Sequence, residues 1–115
     1  MEETSASGEI QYNDFAKLDI RVGLIIAAEK VPETDKLIKC TVDFGDLGER
    51  TIVSGIAEWK TPEEMVGKQL PYIVNLAPRM LKGVESQGML LAASDEQGVA
   101  LLSPERDVPP GTRLK

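Results

Sequence analysis

Residues 19–26 read Asp-Ile-Arg-Val-Gly-Leu-Ile-Ile, and this stretch decides the fold class. Ile20, Val22, Leu24 and Ile26 share one side of an extended chain, because successive side chains of a strand point to opposite faces. An apolar alternation with a period of two residues indicates a half-buried strand of a β-sheet. The chain therefore opens its fold with a long strand.

Similar alternations recur further along the chain. Residues 38–44 and 51–57 predict a second and a third strand, joined by a glycine-rich turn at residues 45–48. Residues 70–76 predict a fourth strand, in which Pro71 indicates an edge or a bulge. Residues 87–94 and 99–102 predict two more strands on either side of a polar turn. The secondary structure is therefore mostly β.

One short helix is predicted between the third and fourth strands. Thr61 is placed as its N-cap, Pro62 at its first position and Glu64 for a capping box, and Gly67 is placed to end it. This order predicts an all-β, five-stranded OB-fold barrel with one short helix between strands 3 and 4 and short terminal extensions. From the pattern alone, SH3-like and other small barrels stay open. Residues 1–9 predict a flexible lead-in and residues 10–115 a single OB-fold domain.

The composition argues against an enzyme. The chain has no histidine and one cysteine, so a serine or cysteine nucleophile lacks its usual base and a transition metal lacks its usual ligands. No glycine-rich phosphate loop is present, and we expect neither a metal nor another cofactor. Cys40 falls in an apolar alternation, where it is expected to be buried. The acidic N-terminus lacks the features of a secretory signal, and the apolar stretches are too short to span a membrane, so we expect a cytoplasmic protein.

The net charge of −6 argues at first sight against nucleic acid. The acids, however, are concentrated at the N-terminus, since residues 1–19 hold five acids and one lysine, whereas residues 20–94 hold nine basic residues and ten acids. Arg79 and Lys82 lie in a stretch whose only nearby acid is Glu85. A local basic patch is therefore compatible with the overall charge.

Residues 75–89 form the most informative stretch, Asn-Leu-Ala-Pro-Arg-Met-Leu-Lys-Gly-Val-Glu-Ser-Gln-Gly-Met. It joins two apolar strands, yet it carries side chains suited to a phosphate, a ribose and the face of a base. A binding surface and a long loop with glycine hinges are equally consistent with its composition.

Five blocks of sequence together resemble the tRNA-binding domain family, namely residues 15–23, 35–37, 53–57, 75–79 and 83–89. That domain occurs at the C-terminus of many methionyl-tRNA synthetases, as a free-standing synthetase β subunit, in structure-specific tRNA-binding proteins and in CsaA-type proteins. The resemblance extends over about residues 10–115. It implies an OB barrel with short extensions, usually paired as a homodimer, that grips tRNA by its shape.

The resemblance also implies the RNA-binding residues. Positions that match the family's binding surface or its basic strand positions, together with the lysine beside them, are Arg21, Lys36, Asn75, Arg79, Lys82, Ser86 and Met89. Arg79 and Lys82 are expected to contact phosphate, Asn75 and Ser86 sugar or base edges, and Met89 an exposed base.

Three of these residues also have an alternative interpretation without RNA contact. Arg21 is also compatible with a cross-strand ion pair, Lys36 with a solvated turn, and Met89 with the core. Met80 departs from the family, in which a further basic residue is common at this position, so the basic patch is weaker here.

The leading interpretation is a non-catalytic, shape-selective tRNA-binding protein, in one form the β subunit that acts in trans with a methionyl-tRNA synthetase. Its expected partners are tRNA, a second copy of the chain and the synthetase, without a membrane. The alternative is a CsaA-like chaperone that binds unfolded or pre-secretory polypeptides. A protein-interaction module that assembles synthetases is a third reading.

Overall fold

The structure, a computed structural model, describes residues 8–115. The flexible lead-in predicted for residues 1–9 therefore lies mostly outside the described residues. The regular elements are α1 Tyr12–Ala16, β1 Ile20–Lys30, β2 Ile38–Asp43, a 3-10 turn Gly45–Leu47, β3 Glu49–Ser54, α2 Pro62–Met65, β4 Gln69–Ile73, β5 Arg79–Leu81, β6 Val84–Ser86, β7 Met89–Leu90, β8 Ala93–Asp95 and β9 Gly98–Ala100. The prediction of an all-β barrel is confirmed.

Five strands form the main sheet, in the order β3-β2-β1-β4-β7, and every pairing within it is antiparallel. The segment after β6 returns to the free edge of β3, where the Gln87 amide donates to the Thr51 carbonyl at 2.8 Å. This contact brings the two ends of the sheet together and nearly closes the barrel, as an OB fold requires.

The helix predicted between strands 3 and 4 is present as α2. The Thr61 hydroxyl accepts the amide N–H of Glu64 at 3.3 Å, and a Glu64 carboxylate oxygen accepts the amide N–H of Thr61 at 3.0 Å. The sequence analysis did not predict α1, a single helical turn before β1. Its start is held by Asp14, whose carboxylate accepts the amide N–H of Gln11 at 3.0 Å.

The barrel core lies on the opposite side of β1 from the one that the alternation indicated. Ile25 is buried in the core, and a Cβ added to Gly23 would lie 2.4 Å from Cγ1 of Val42, so only glycine fits there. Ile20 and Val22 are also buried, but on the outer face of the barrel. Ile26 is 42% exposed on this outer face, at a β-bulge between Ile25 and Ala27 that changes the register against β2.

The core itself is aliphatic around one aromatic pair. The rings of Phe44 and Tyr72 meet edge to face, with centroids 5.5 Å apart, and both are fully buried. Cys40 is buried as predicted, and the loss of solvent raises the pKa of its thiol to about 11. This thiol is therefore a packing group rather than a nucleophile at neutral pH.

The C-terminal segment, residues 101–115, pairs with the free edge at the start of β1, and its Leu102, Pro104 and Leu114 lie beside Val22 on the outer face. The Val22 amide donates to the Thr112 carbonyl at 2.8 Å, and the Leu114 amide donates to the Ile20 carbonyl at 2.8 Å. The predicted terminal extension is therefore an integral part of the fold, and it buries the apolar side chains that the barrel interior leaves out.

Candidate nucleic-acid interface

The stretch predicted as a loop contains a β-hairpin formed by β5 and β6. Leu81 pairs with Val84 across a two-residue turn. Lys82 and Gly83 occupy this turn with φ values of 50° and 81°, which is typical of a type I′ hairpin turn. The turn holds Lys82 at the exposed tip of the hairpin, and Lys82 is one of two non-glycine residues with positive φ in the described part of the chain.

Arg79 and Met89 meet at one groove beside this hairpin. The groove has a volume of about 250 Å³, and it is lined by Val53, Ser54, Gly55, Ile56, Arg79, Met89, Leu90, Ala92, Ala93, Ser94 and Val99. None of these lining residues is acidic. Arg79 is exposed and forms no ion pair within the described residues, so its guanidinium is open to a ligand.

Lys36 lies in the loop between β1 and β2, on the same side of the barrel as this groove. Its carbonyl accepts the amide N–H of Ala57 at 3.0 Å, and Ala57 directly follows Ile56 in the groove wall. The Lys36 side chain is exposed and has no ion pair in the described part of the chain. The loop between strands 1 and 2 is one of the ligand-binding loops of OB folds.

Asn75 fastens the start of the 75–89 stretch to the body of the barrel. Its Oδ1 accepts the amide N–H of Asp19 at 2.8 Å, and its Nδ2 donates to the Lys17 carbonyl at 2.7 Å. Both ends of the amide are thus engaged with backbone groups. The structure gives Asn75 a positioning role, and its contact with RNA stays a prediction.

Ser86 is 3% exposed and holds the barrel closed next to β3. Its Oγ accepts the amide N–H of Val53 at 3.0 Å and donates to the Gly88 carbonyl at 3.2 Å. The hydroxyl therefore faces the barrel wall, and a direct contact of Ser86 with RNA stays a prediction.

Arg21 is half-buried away from the groove and is engaged by an acid. Its Nε lies 2.7 Å from Oδ1 of Asp19 and its Nη2 lies 3.2 Å from Oδ2, while Nη1 donates to the Gly111 carbonyl at 3.2 Å. The hydrogen bond from Arg21 holds the pKa of Asp19 below its usual value, and the charges of Arg21 and Arg113 add to this effect. The structure thus contains an ion pair at Arg21, with the residue two positions earlier rather than across the sheet.

No sequence pattern indicated a role for Trp59, which packs against Gly98 at the start of β9. Its amide donates to the carbonyl of Ile56 at 3.0 Å, and its indole packs so closely on Gly98 that a Cβ there would lie 2.3 Å from Cδ1. The side chain is 43% exposed. The polar neighbours of Trp59 in the sequence could have predicted that this aromatic side chain is exposed.

A family model described as "Putative tRNA binding domain" matches residues 20–113. The chain belongs to this tRNA-binding domain family. The methionine–tRNA ligase of Porphyromonas gingivalis is 53% identical over 108 residues, which are 93% of this chain and 16% of the ligase. The chain thus spans about a sixth of the curated relatives that it matches.

Solved structures of the family share the whole barrel. The methionyl-tRNA-synthetase-related protein of Pyrococcus horikoshii is 47% identical, with a TM-score of 0.87 over 93% of this chain and 98% of that one. The chaperone CsaA of Bacillus anthracis is 30% identical, with a TM-score of 0.84 over 93% of this chain and 99% of that one. The barrel is common to synthetase-related and chaperone members, so the surface must distinguish their functions. Within residues 8–115, no helix is long and apolar enough to cross a membrane.

Proposed function

We propose that the protein is a non-catalytic tRNA-binding protein whose RNA surface is the groove between the hairpin and the β1–β2 loop. The observation that carries this proposal is the set of three exposed cations on that side, Arg79, Lys82 and Lys36, none of which has an ion-pair partner among residues 8–115. Arg79 and Lys82 contact phosphate, and Met89 packs against an exposed base at the groove wall.

The contrast with five other basic residues supports this assignment, although Lys30, Arg106 and Lys115 are also exposed and have no ion pair within the described residues. Elsewhere on the barrel, Lys17, Lys39 and Lys60 each lie within 4.0 Å of a carboxylate oxygen, and Arg21 and Arg113 share Asp19. Those acids reduce the attraction of these cations for an anionic partner. Unpaired cations instead supply the sequence-independent attraction to phosphates that dominates binding to nucleic acids.

Three members of the predicted set are hydrogen-bonded within the fold and act through its shape. Asn75 fixes the start of the 75–89 stretch, and Ser86 fixes the end of the hairpin against β3. Arg21 holds the C-terminal segment through the Gly111 carbonyl. In this proposal the unpaired cations and Met89 bind RNA, Asn75 and Ser86 hold the backbone that presents them, and Arg21 holds the C-terminal segment.

The proposed biological role is that of the β subunit acting in trans with a methionyl-tRNA synthetase in the cytoplasm. Identity to methionine–tRNA ligases and the likeness to a synthetase-related protein support this role. A tethered RNA-binding module raises the effective concentration of tRNA near the catalytic site, and it does so without chemistry of its own.

A homodimer completes the proposal. Apolar side chains of both terminal segments are exposed, including Ile10, Tyr12, Leu102 and Leu114. Tyr12, Phe15 and Leu114 also line a cavity of about 240 Å³ where the two termini meet. Pairing of two copies through this surface would bury these side chains.

The experiment that tests the RNA function compares several unrelated tRNAs in a fluorescence-anisotropy titration. We expect affinities within a few-fold of one another that decrease as salt increases, because backbone contacts and shape dominate. A large preference for one tRNA that disappears when its anticodon is changed would contradict shape-selective binding. Absence of any tRNA binding at low salt would contradict the function itself.

A CsaA-like chaperone is the second candidate, and one surface favours it. A cavity of about 240 Å³ is lined by Val22, Pro71, Leu102, Ser103, Pro104 and Leu114, nearly all of them apolar. The likeness to the CsaA chaperone of Bacillus anthracis, over 93% of this chain, supports this candidate. Binding of an unfolded polypeptide that tRNA does not displace, together with absent tRNA binding, would support this candidate over the first.

A further inference from the structure

We propose that Met89 is a site of reversible oxidation, at which conversion of its thioether to a sulfoxide weakens the binding of RNA in the groove beside the hairpin. The inference rests on the proposed RNA function and adds a means of regulation to the same site. The oxidant is hydrogen peroxide: its O–O bond breaks, an S–O bond forms, the sulfur loses two electrons and water leaves. A methionine sulfoxide reductase reverses the step, in which two thiols become a disulfide and the oxygen leaves as water.

The exposure of the sulfur-containing side chains determines which of them a peroxide reaches first. Cys40 and Met65 are 2% and 0% exposed, whereas Met80 and Met89 are 65% and 43% exposed. Cys40 also has little thiolate at neutral pH, because burial raises the pKa of its thiol to about 11. Among residues 8–115, oxidation is therefore expected to begin at Met80 and Met89.

One of these two exposed methionines lies in the groove and the other does not. Met89 belongs to β7, where it pairs with Ile73 of β4, and it lines the groove together with Arg79. Met80 is not among the lining residues, and it pairs with Glu85 across the hairpin. The chain therefore offers its own comparison between a methionine inside the proposed site and an exposed methionine outside it.

A sulfoxide at Met89 changes the chemical character of the groove wall. The lining is mostly aliphatic, and it includes Val53, Ile56, Leu90 and Val99. The unmodified thioether is apolar and adaptable, so it packs against the face of a base without losing hydrogen bonds to water. A sulfoxide is polar, and covering its oxygen with a base removes bound water at a cost in free energy. Oxidation at this position is therefore expected to weaken RNA binding.

The test compares the affinity of the full chain for labelled tRNA, by fluorescence anisotropy, before and after treatment with hydrogen peroxide. Mass spectrometry of proteolytic peptides measures the oxidation of Met65, Met80 and Met89 separately. We expect Met80 and Met89 to be oxidised before Met65, and the affinity for tRNA to decrease about ten-fold. A methionine sulfoxide reductase with dithiothreitol is expected to restore the affinity, whereas dithiothreitol alone is not.

Two conservative variants assign the effect to one sulfur atom. Met89→Leu and Met80→Leu each remove one thioether and keep a side chain of similar volume. The quantity compared is the ratio of the dissociation constants after and before peroxide, so that a change in the starting affinity of a variant cancels. We expect a ratio near one for Met89→Leu and a ratio of about ten for Met80→Leu, as in the wild type.

A third variant tests the polarity of the position without an oxidant. Met89→Gln places a polar side chain of similar length in the groove wall, and it is expected to weaken tRNA binding about as much as peroxide does. Circular dichroism verifies that each variant and the oxidised wild type are folded. Where Met89→Gln does not fold, the ratio for Met89→Leu still decides the question.

The outcomes separate the inference from the proposed function. Absence of tRNA binding before any peroxide is added contradicts the function, and the inference with it. Equal affinity before and after complete oxidation of Met89 overturns the inference alone and leaves the function intact. A ten-fold loss that persists in Met89→Leu, or a Met89 that stays reduced while Met65 is oxidised, also overturns the inference alone.

Discussion

Replacing Ser86 with alanine removes a hydroxyl that the structure places inside the barrel wall. The Val53 amide N–H donates to Ser86 Oγ at 3.0 Å, and both residues are buried. In Ser86→Ala this N–H loses its partner and gains no contact with water. The Gly88 carbonyl also loses a donor at 3.2 Å, although a carbonyl tolerates this better because it has two lone pairs.

The expected loss of stability follows from these two contacts. A buried donor left without a partner costs roughly 1–3 kcal/mol, and the lower half of this range applies because a single amide is orphaned. For a chain of this length the loss corresponds to a decrease in Tm of about 4–8 °C. We expect affinity for tRNA, measured well below Tm, to change by less than about three-fold, because the hydroxyl faces away from solvent.

The assay pairs thermal unfolding with anisotropy titration at one protein concentration, since association would shift Tm. Ser103→Ala is the control, because Ser103 is exposed and its hydroxyl makes no hydrogen bond within the described residues. Wild-type stability in Ser86→Ala combined with a ten-fold or greater loss of tRNA binding would refute the positioning role and would show that Ser86 contacts RNA.

Three further changes test the fold and the assembly. Gly23→Ala is expected to destabilise the protein by about 1–3 kcal/mol in urea unfolding, because its Cβ would overlap Val42; unchanged stability would contradict the core packing. The free energy of unfolding is expected to decrease as pH falls below about 4. The hydrogen bond from Arg21 makes the pKa of the Asp19 carboxyl lower in the folded than in the unfolded chain. The carboxylate therefore contributes its full stabilisation above the pKa of the unfolded chain, and this contribution is lost as pH falls to the lowered pKa of the folded chain. Asp19→Asn should flatten this part of the pH curve, and an unchanged curve would exclude Asp19 as its source. Tyr12→Asp is expected to convert a sedimenting dimer into a monomer at tens of micromolar, and a monomeric wild type would contradict the proposed homodimer.

Local patterns predicted the barrel and its second helix. The alternation at residues 38–44 and the turn at residues 45–48 specify the β2–β3 hairpin, and the capping box at Thr61 specifies α2. These signals are local, because a period of two and a cap depend on neighbouring residues. The face of β1 that lines the core was predicted wrongly, because it is determined by distant rather than neighbouring residues. It depends on contacts of the outer face with the distant C-terminal segment, which leave no local signal.

The candidate site was predictable in part. Residue type and the family resemblance led to Arg79, Lys82 and Met89, which the structure leaves exposed on or beside the hairpin. Residue type and resemblance did not distinguish these exposed side chains from Ser86, which is buried because its hydroxyl bonds to β3. The packing of Trp59 against Gly98 joins residues 39 positions apart, and no local pattern encodes such a pairing.

The most direct test of the central claim is the salt dependence of tRNA affinity for wild type and Arg79→Glu. Arg106→Glu is the matched control, since it makes the same charge change on the exposed C-terminal segment. We predict that Arg79→Glu weakens binding by about 1–3 kcal/mol and lowers the slope of log affinity against log salt by roughly one unit per lost phosphate contact, while Arg106→Glu changes both far less. Wild-type affinity and slope in folded Arg79→Glu would contradict the assignment of this surface to tRNA.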